Sequence, residues 1–276
     1  MSKILYAFIT IMALASCGNS YNIQGSSNVS TLDGRMLYLK VLHDNDFKTI
    51  DSCDVVHGQF HFNGSFDSIC MANIFMDDEP VLPLVLESGC ITVKLDDTQQ
   101  VVSGTPLNDK LFGFFKKYQQ LQNQQRELVH KHDQAIMNGS DMQVVTAKLN
   151  EEAMRLSDQE DKLITSFVTD NFDNVLGPGV FFLVTMGNQY PMLSPWIEDI
   201  MSKATDHFKN DAYVKDYYQK AQENQAIMNG THESTGGVTP EMEQMAAPQG
   251  DPSAATAPAA TPTPNDLAKP TIPAAK

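Results

Sequence analysis

The 276-residue chain carries 19 Lys and Arg against 34 Asp and Glu, a formal charge of −15, with 42% hydrophobic residues. It holds no cluster of Lys and Arg of the kind that grips phosphate backbones, so nucleic acid is excluded as an expected partner. Its acidity also repels anionic lipid headgroups, which removes electrostatic attraction as a route to a membrane.

The chain opens with a lone Lys3, an apolar run over residues 4–14, and the tetrapeptide Leu14-Ala15-Ser16-Cys17. A basic start, a short apolar stretch and small residues at its end form an export signal. The run falls short of the about 20 residues that a spanning helix needs. The tetrapeptide resembles a bacterial lipobox. That resemblance implies cleavage before Cys17, a diacylglycerol on its thiol and acylation of its new amine. Each buried methylene contributes about 0.8 kcal/mol and one acyl chain binds marginally, so two or three chains tether a domain stably. Removing residues 1–16 deletes Lys3 and no acid, which moves the charge from −15 to −16. No later stretch approaches spanning length, so acyl chains on Cys17 are the expected membrane attachment and the remainder is expected to be soluble.

Residues 21–104 alternate short strand-like runs with turn residues, the pattern of an antiparallel sandwich. Strands are expected at residues 21–24, 35–42, 47–56, 59–63, 69–76, 81–86, 90–95 and 100–102. Asp33-Gly34, His57-Gly58, Asn63-Gly64 and Ser88-Gly89 mark turns, where glycine adopts positive φ without steric cost. Phe60 and Phe62 alternate with Gln59, His61 and Asn63, which gives one apolar and one polar face. Pro83 lacks an N–H, so its strand is expected at a sheet edge or a bulge.

At Leu107 the period changes. Leu107, Leu111, Phe114, Tyr118, Leu121, Gln125, Leu128, His132 and Ala135 recur in steps of four and three, the seam of a long amphipathic helix. Gln125 and His132 weaken that seam and are expected to face water or helix ends. Asn138-Gly139-Ser140 breaks the pattern: Gly139 suits the left-handed C-terminal position, and Ser140 with Gln143 forms a capping box for a second helix. Met142, Val145, Leu149, Ala153, Leu156, Leu163 and Phe167 form the second stripe. Two helices of roughly 30 residues joined by so short a turn fold back into a hairpin about 45 Å long.

Gly177-Pro178-Gly179 is expected to interrupt the chain before an apolar run over residues 180–186. Ser194-Pro195 then marks a helix start, with the serine capping and Trp196, Ile200, Ala204 and Phe208 on one face. A last helix is expected over about residues 211–225, through Val214, Tyr217 and Ala221. Gln134-Ala135-Ile136-Met137-Asn138-Gly139 recurs at residues 225–230, and shared C-capping explains both copies. Residues 246–276 hold seven of the fourteen prolines and ten alanines with no aromatic, too little apolar surface to offset chain entropy. The C-terminal stretch is therefore expected to be a disordered spacer.

Chemistry-bearing residues are scattered. With Cys17 acylated, Cys53, Cys70 and Cys90 remain, an odd number that allows at most one internal disulfide. Their spacing matches no redox or zinc motif, and all three sit in strand-like runs, so they are expected to be small buried hydrophobes. His57 and His61, four strand positions apart, are separated by roughly 13 Å, too far to share an ion. His130 and His132 are two apart on a helix and point to different sides. Asp44-Asn45-Asp46 and Asp77-Asp78-Glu79 do not continue into a calcium loop and read as hairpin turns.

One ordered set of motifs does look familiar: Tyr21-Asn22-Ile23-Gln24-Gly25, residues 36–40, Thr49-Ile50-Asp51-Ser52, Gly58-Gln59-Phe60-His61-Phe62-Asn63-Gly64, Leu86-Glu87-Ser88-Gly89 and Val102-Ser103-Gly104-Thr105, followed by Asn108. The set resembles the domain of unknown function numbered 4369, which precedes thioredoxin-like, AhpC/TSA-type disulfide oxidoreductases in Bacteroidetes lipoproteins. In those relatives a helical hairpin follows the sandwich, and a thioredoxin domain then carries a C-x-x-C. This chain is expected to depart there, because residues 236–276 hold no C-x-x-C and are too few for that fold. The resemblance therefore assigns no redox residue here, and only Cys17 transfers by position.

The expected architecture is α+β: an N-terminal antiparallel β-sandwich, then a helical hairpin with further packed helices, then a Pro/Ala-rich tail. The expected boundaries are a lipoprotein signal peptide at 1–16, the sandwich at 17–105, the helical region at 106–230 and the tail at 231–276. The expected function is a lipid-anchored cell-envelope binding or scaffolding protein, not an enzyme. Cys17 is its lipidation site, an envelope protein is its partner, and no cofactor, metal or catalytic residue is assigned. By resemblance to the Bacteroidetes pattern, surface display wants acids after the lipidated cysteine. Gly18-Asn19-Ser20-Tyr21 follows here, which favours the periplasmic face of the outer membrane. Two alternatives stand beside this reading: an accessory thiol-redox protein using Cys53, Cys70 or Cys90, and glycan or small-ligand binding on the sandwich.

Overall fold

The computed structural model describes residues 19–43, 46–96 and 100–230. Eight strands come first: β1 (Ser20–Ser27), β2 (Met36–His43), β3 (Asp46–Asp54), β4 (Gln59–Ser65), β5 (Cys70–Met76), β6 (Glu79–Leu86), β7 (Gly89–Leu95) and β8 (Gln100–Ser103). They form two four-stranded sheets, ordered β4-β1-β7-β8 and β3-β2-β5-β6. Period-two alternation sends Ile23, Phe62, Ile91 and Val93 of the first sheet inward against Leu37, Leu39, Ile74 and Leu84 of the second, and all eight are fully buried. Side chains of this size contribute about 1.5–3 kcal/mol each on burial, which is what holds the two sheets together.

Most ladders are antiparallel, but β1 pairs with β7 in parallel, with Ile23 opposite Ile91. A parallel pair needs a crossover, and the chain supplies it by passing through the second sheet between the two strands. β6 is an edge strand, as Pro83 requires, and its ladder with β5 shifts register between Ile74 and Phe75. His57 (φ 52) and Gly58 (φ 69) both take left-handed backbone in the β3–β4 turn. The Asn63-Gly64 turn is not formed. Both residues continue β4, and Gly64 lies opposite Tyr21, where an added Cβ would stand 2.6 Å from the tyrosine hydroxyl.

The helices are α1 (Pro106–Met137), α2 (Met142–Thr169), α3 (Leu176–Thr185), α4 (Pro195–Lys203), α5 (Asp206–Lys209) and α6 (Ala212–Met228). At 1.5 Å per residue α1 is about 48 Å long, and α2 folds back along it. Gly139 (φ 64) closes α1, with its N–H donating to Ile136 and the Ser140 N–H donating to Ala135. Ser140 is thereby consumed by the end of α1, and the cap of α2 is Asp141, whose Oδ1 accepts from the N–H of Gln143 at 3.0 Å and of Val144 at 3.4 Å. Gly230 (φ 68) closes α6 in the same way, which accounts for the recurring hexapeptide.

Gly177-Pro178-Gly179 does not interrupt the chain but forms the first turn of α3, where proline needs no N–H partner. The glycines serve packing there: a Cβ on Gly177 would strike the Asn171 carbonyl, and one on Gly179 would stand 2.6 Å from Met71 of β5. Ser194 precedes α4 but makes no cap bond, and its hydroxyl is buried without a partner. The buried face of α4 is Ile197, Ile200 and Met201. Extended backbone at Ala204 ends that helix, so α5, capped by Thr205, presents Phe208 separately.

A second core gathers around Phe181, whose ring meets Trp196, Phe208 and Tyr217 at 6.0, 5.8 and 5.3 Å between centroids. This helical layer covers the outer face of the β3-β2-β5-β6 sheet. Val85 of β6 joins its core, Gly179 rests on Met71, and Phe182 approaches Phe47 of β3 at 6.5 Å.

Candidate functional site

Cys17, the leader at 1–16 and the tail at 231–276 lie outside the described residues. Among the described residues no helix is long and apolar enough to cross a membrane.

Cys53, Cys70 and Cys90 are all free. Cys53 and Cys70 are half buried against the sandwich core, but Cys90 is exposed and departs from the expected burial. Ile91, Val93 and Leu95 take the inner positions of β7, so the period of two places Cys90 on the outer face with Lys94. Burial pushes both half-buried thiols above the ordinary range. At Cys53 a hydrogen bond with the His61 main chain opposes that shift, and the charges of Asp51 and Asp54 add to it. A thiol so placed stays protonated at neutral pH, and the thiolate is the nucleophile.

Cys53 lines an open groove of about 470 Å³ where β1, β3 and β4 meet, together with Gln24, Asp54, Gln59, Phe60 and His61. Close by, the Tyr21 hydroxyl reaches across from β1 to Asp51 of β3. Burial, and then the Asp51 charge and hydrogen bond, push it up to about 12. His57 occupies the turn and His61 the strand, while on α1 His130 is exposed and His132 half buried. Among the described residues no group of three or more His, Cys, Asp or Glu is placed to hold a metal ion.

The familiar motifs around Glu87, Thr105 and Asn108 converge where the sandwich meets α1. All three side chains are buried. Glu87 Oε1 accepts from the main-chain N–H of Leu107 at 2.8 Å and of Asn108 at 3.0 Å, so a carboxylate from the β6–β7 turn satisfies the first donors of the helix. The Asn108 amide donates to Thr105 Oγ1 at 2.8 Å and reaches Val85 on β6. The cluster is a clamp between sheet and helix.

The helical hairpin offers the other candidate surface. Gln125 does not face a helix end: its amide donates to Glu160 Oε2 at 2.7 Å, and Gln122 donates to Glu160 Oε1 at 2.7 Å. Tyr118 hydrogen-bonds the same carboxylate, and burial followed by the Glu160 charge raises its phenol. Glu160 escaped the apolar stripe, but its spacing of four from Leu156 and three from Leu163 places it on the seam. Beyond this polar step the arm is thinly packed. Between Gln122 and Arg155 only Leu128 and Ala135 are buried, and Val129, Ile136, Met137, Val144 and Met154 are exposed, Met137 to 81%.

No curated protein and no solved structure matches the chain. Residues 21–111, which run from β1 through the sandwich and past the Asn108 clamp into the first turns of α1, match the domain of unknown function DUF4369.

Proposed function

We propose that this is a lipid-anchored cell-envelope protein that acts by binding or scaffolding rather than by catalysis. Acyl chains on Cys17 hold it at the outer membrane facing the periplasm, and an envelope protein is its partner. The observation that carries the binding reading is the two-helix arm, whose distal half displays five large apolar side chains. Large apolar side chains left exposed along a thinly packed element give a partner surface to bury. The export leader and the Leu14-Ala15-Ser16-Cys17 tetrapeptide support the anchor. The raised thiols of Cys53 and Cys70 lend no support to the redox alternative. The Cys53 groove favours small-ligand binding as a second reading, because Gln24, Gln59 and His61 line it beside the edge of Phe60. A photo-crosslinker at Met137 in cells tests the main reading. It is expected to yield one dominant protein adduct that a crosslinker at Asp78 on the sandwich does not, and adducts equal at both positions would refute it.

A further inference from the structure

The two ends of the sandwich differ in charge, and the chain enters at one of them. β1 begins at Ser20, so only Gly18 and Asn19 separate it from Cys17. Three residue steps reach about 10 Å at full extension. Asn19 is itself held, its carbonyl accepting from the Phe66 N–H at 3.1 Å. A lipid on Cys17 therefore acts through a very short leash.

The ladders define what lies at that end. Ser20 stands opposite Ser65, Tyr21 beside Gly89, and Cys70 opposite Leu86, so the β4–β5 and β6–β7 connections both lie there. Ile69 is 45% exposed in the first connection, next to Ser68, and Ser88 is exposed in the second. The exposed acids at this end, among the described residues, are Asp46, Asp67 and, in the first turn of α1, Asp109, whose Oδ1 accepts from the Gly104 N–H at 3.0 Å. The opposite end, where β3 turns into β4 and β5 into β6, exposes Asp33, Asp54, Asp77, Asp78 and Glu79.

We infer that the Ser20 end of the sandwich, centred on residues 66–69, is a membrane-contact surface that lies against the lipid headgroups, with the acidic end turned away. The inference rests on the lipidation of Cys17 proposed above. Anionic headgroups repel carboxylates within about a Debye length, about 8 Å at physiological salt, so the acid-rich end is the costly one to present. That end lies the length of β1 from the leash, about 26 Å for eight residues at 3.3 Å each. Apolar exposure does not choose between the ends, since Val56 is 59% exposed at the far one, but with the leash holding the near end Ile69 enters the boundary between headgroups and acyl chains, where apolar side chains insert about 5–10 Å.

Fluorescence quenching tests the orientation. Trp196→Phe removes the single tryptophan, and Ile69→Trp or, at the acidic end, Val56→Trp is then introduced. Full-length protein processed in a lipoprotein-producing bacterium is reconstituted into phosphatidylethanolamine/phosphatidylglycerol vesicles containing lipids nitroxide-labelled near the headgroup. Ile69→Trp is expected to lose about half its emission, given insertion of about 5–10 Å, while Val56→Trp is unchanged. Hydrogen exchange on the unsubstituted protein provides a second readout: residues 66–69 slow on reconstitution and residues 54–58 do not. Equal effects at both ends, no effect at either, or an effect at Val56 alone, in protein that floats with the vesicles, overturns the orientation and leaves the anchor standing. Protein that does not float, and takes up no labelled fatty acid at Cys17, overturns the anchor and this inference with it.

Discussion

The Asn108 side-chain amide pairs with both main-chain groups of Val85, donating to its carbonyl at 2.8 Å and accepting from its N–H at 2.9 Å. β6 is an edge strand, so these two groups would otherwise be buried without a partner, and a helical side chain completes the edge as a neighbouring strand would. Asn108→Ala strands both of them. It is expected to cost about 2–6 kcal/mol in urea unfolding, with each of the two unsatisfied buried groups contributing about 1–3 kcal/mol. Asn108→Asp cannot donate to the carbonyl and is expected to be no better. A variant as stable as the parent would show that the clamp does not hold sheet to helix.

Two glycines should respond to alanine with opposite signs. Gly113 sits in α1 with open space where a Cβ would be, so Gly113→Ala is expected to stabilise by about 0.5–1 kcal/mol through helix propensity. Gly25 lies opposite Phe60, whose ring occupies the space a Cβ needs, so Gly25→Ala is expected to destabilise by about 1–3 kcal/mol. Paired thermal melts decide both.

Asp161 on α2 has its carboxyl raised by burial and then by the neighbouring Asp158 charge. Its proton is held more tightly in the folded chain. The group's cost is therefore absent below the unfolded value of 3.8, appears as pH rises through the folded value, and persists at neutral pH. Asp161→Asn is expected to stabilise by about 0.5 kcal/mol at pH 7, the scale of partly exposed charges, and by less near pH 4. Urea titrations at the two pH values measure the difference, and a gain that grows on acidification would reverse the assignment.

Thiol titration with a colorimetric disulfide reagent should separate the three cysteines. Cys90, exposed on β7, reacts first, while Cys53 and Cys70 lag because burial raises both thiols. Raising the pH above the ordinary thiol range should accelerate the slow pair. Three equal rates at neutral pH would reopen the redox alternative.

The match between sequence and structure follows the reach of each signal. Alternation in residues such as Phe60 and Phe62 reports local dihedrals and faces, and all eight strand runs are found. The seam from Leu107 to Ala135 and the glycines that close α1 and α6 are also local, and they hold. Cys90 could have been placed outward from the same alternation, by counting from Ile91. Gly177-Pro178-Gly179 could not have been read locally, because its glycines answer to Asn171 and Met71, and a composition that usually ends a helix here begins one.

Backbone conformation, helix ends and the apolar faces were thus determined by the chain's own near neighbours, through periods of two and 3.6 and through the steric freedom of glycine. The tertiary structure alone decided that β1 runs beside β7 in parallel, that Asn108 completes the edge of β6, and that Glu160 bridges Gln122 and Gln125. Each of these joins residues more than twenty positions apart, and such pairings are set by which buried surfaces and unpaired polar groups can be satisfied together in one packed arrangement.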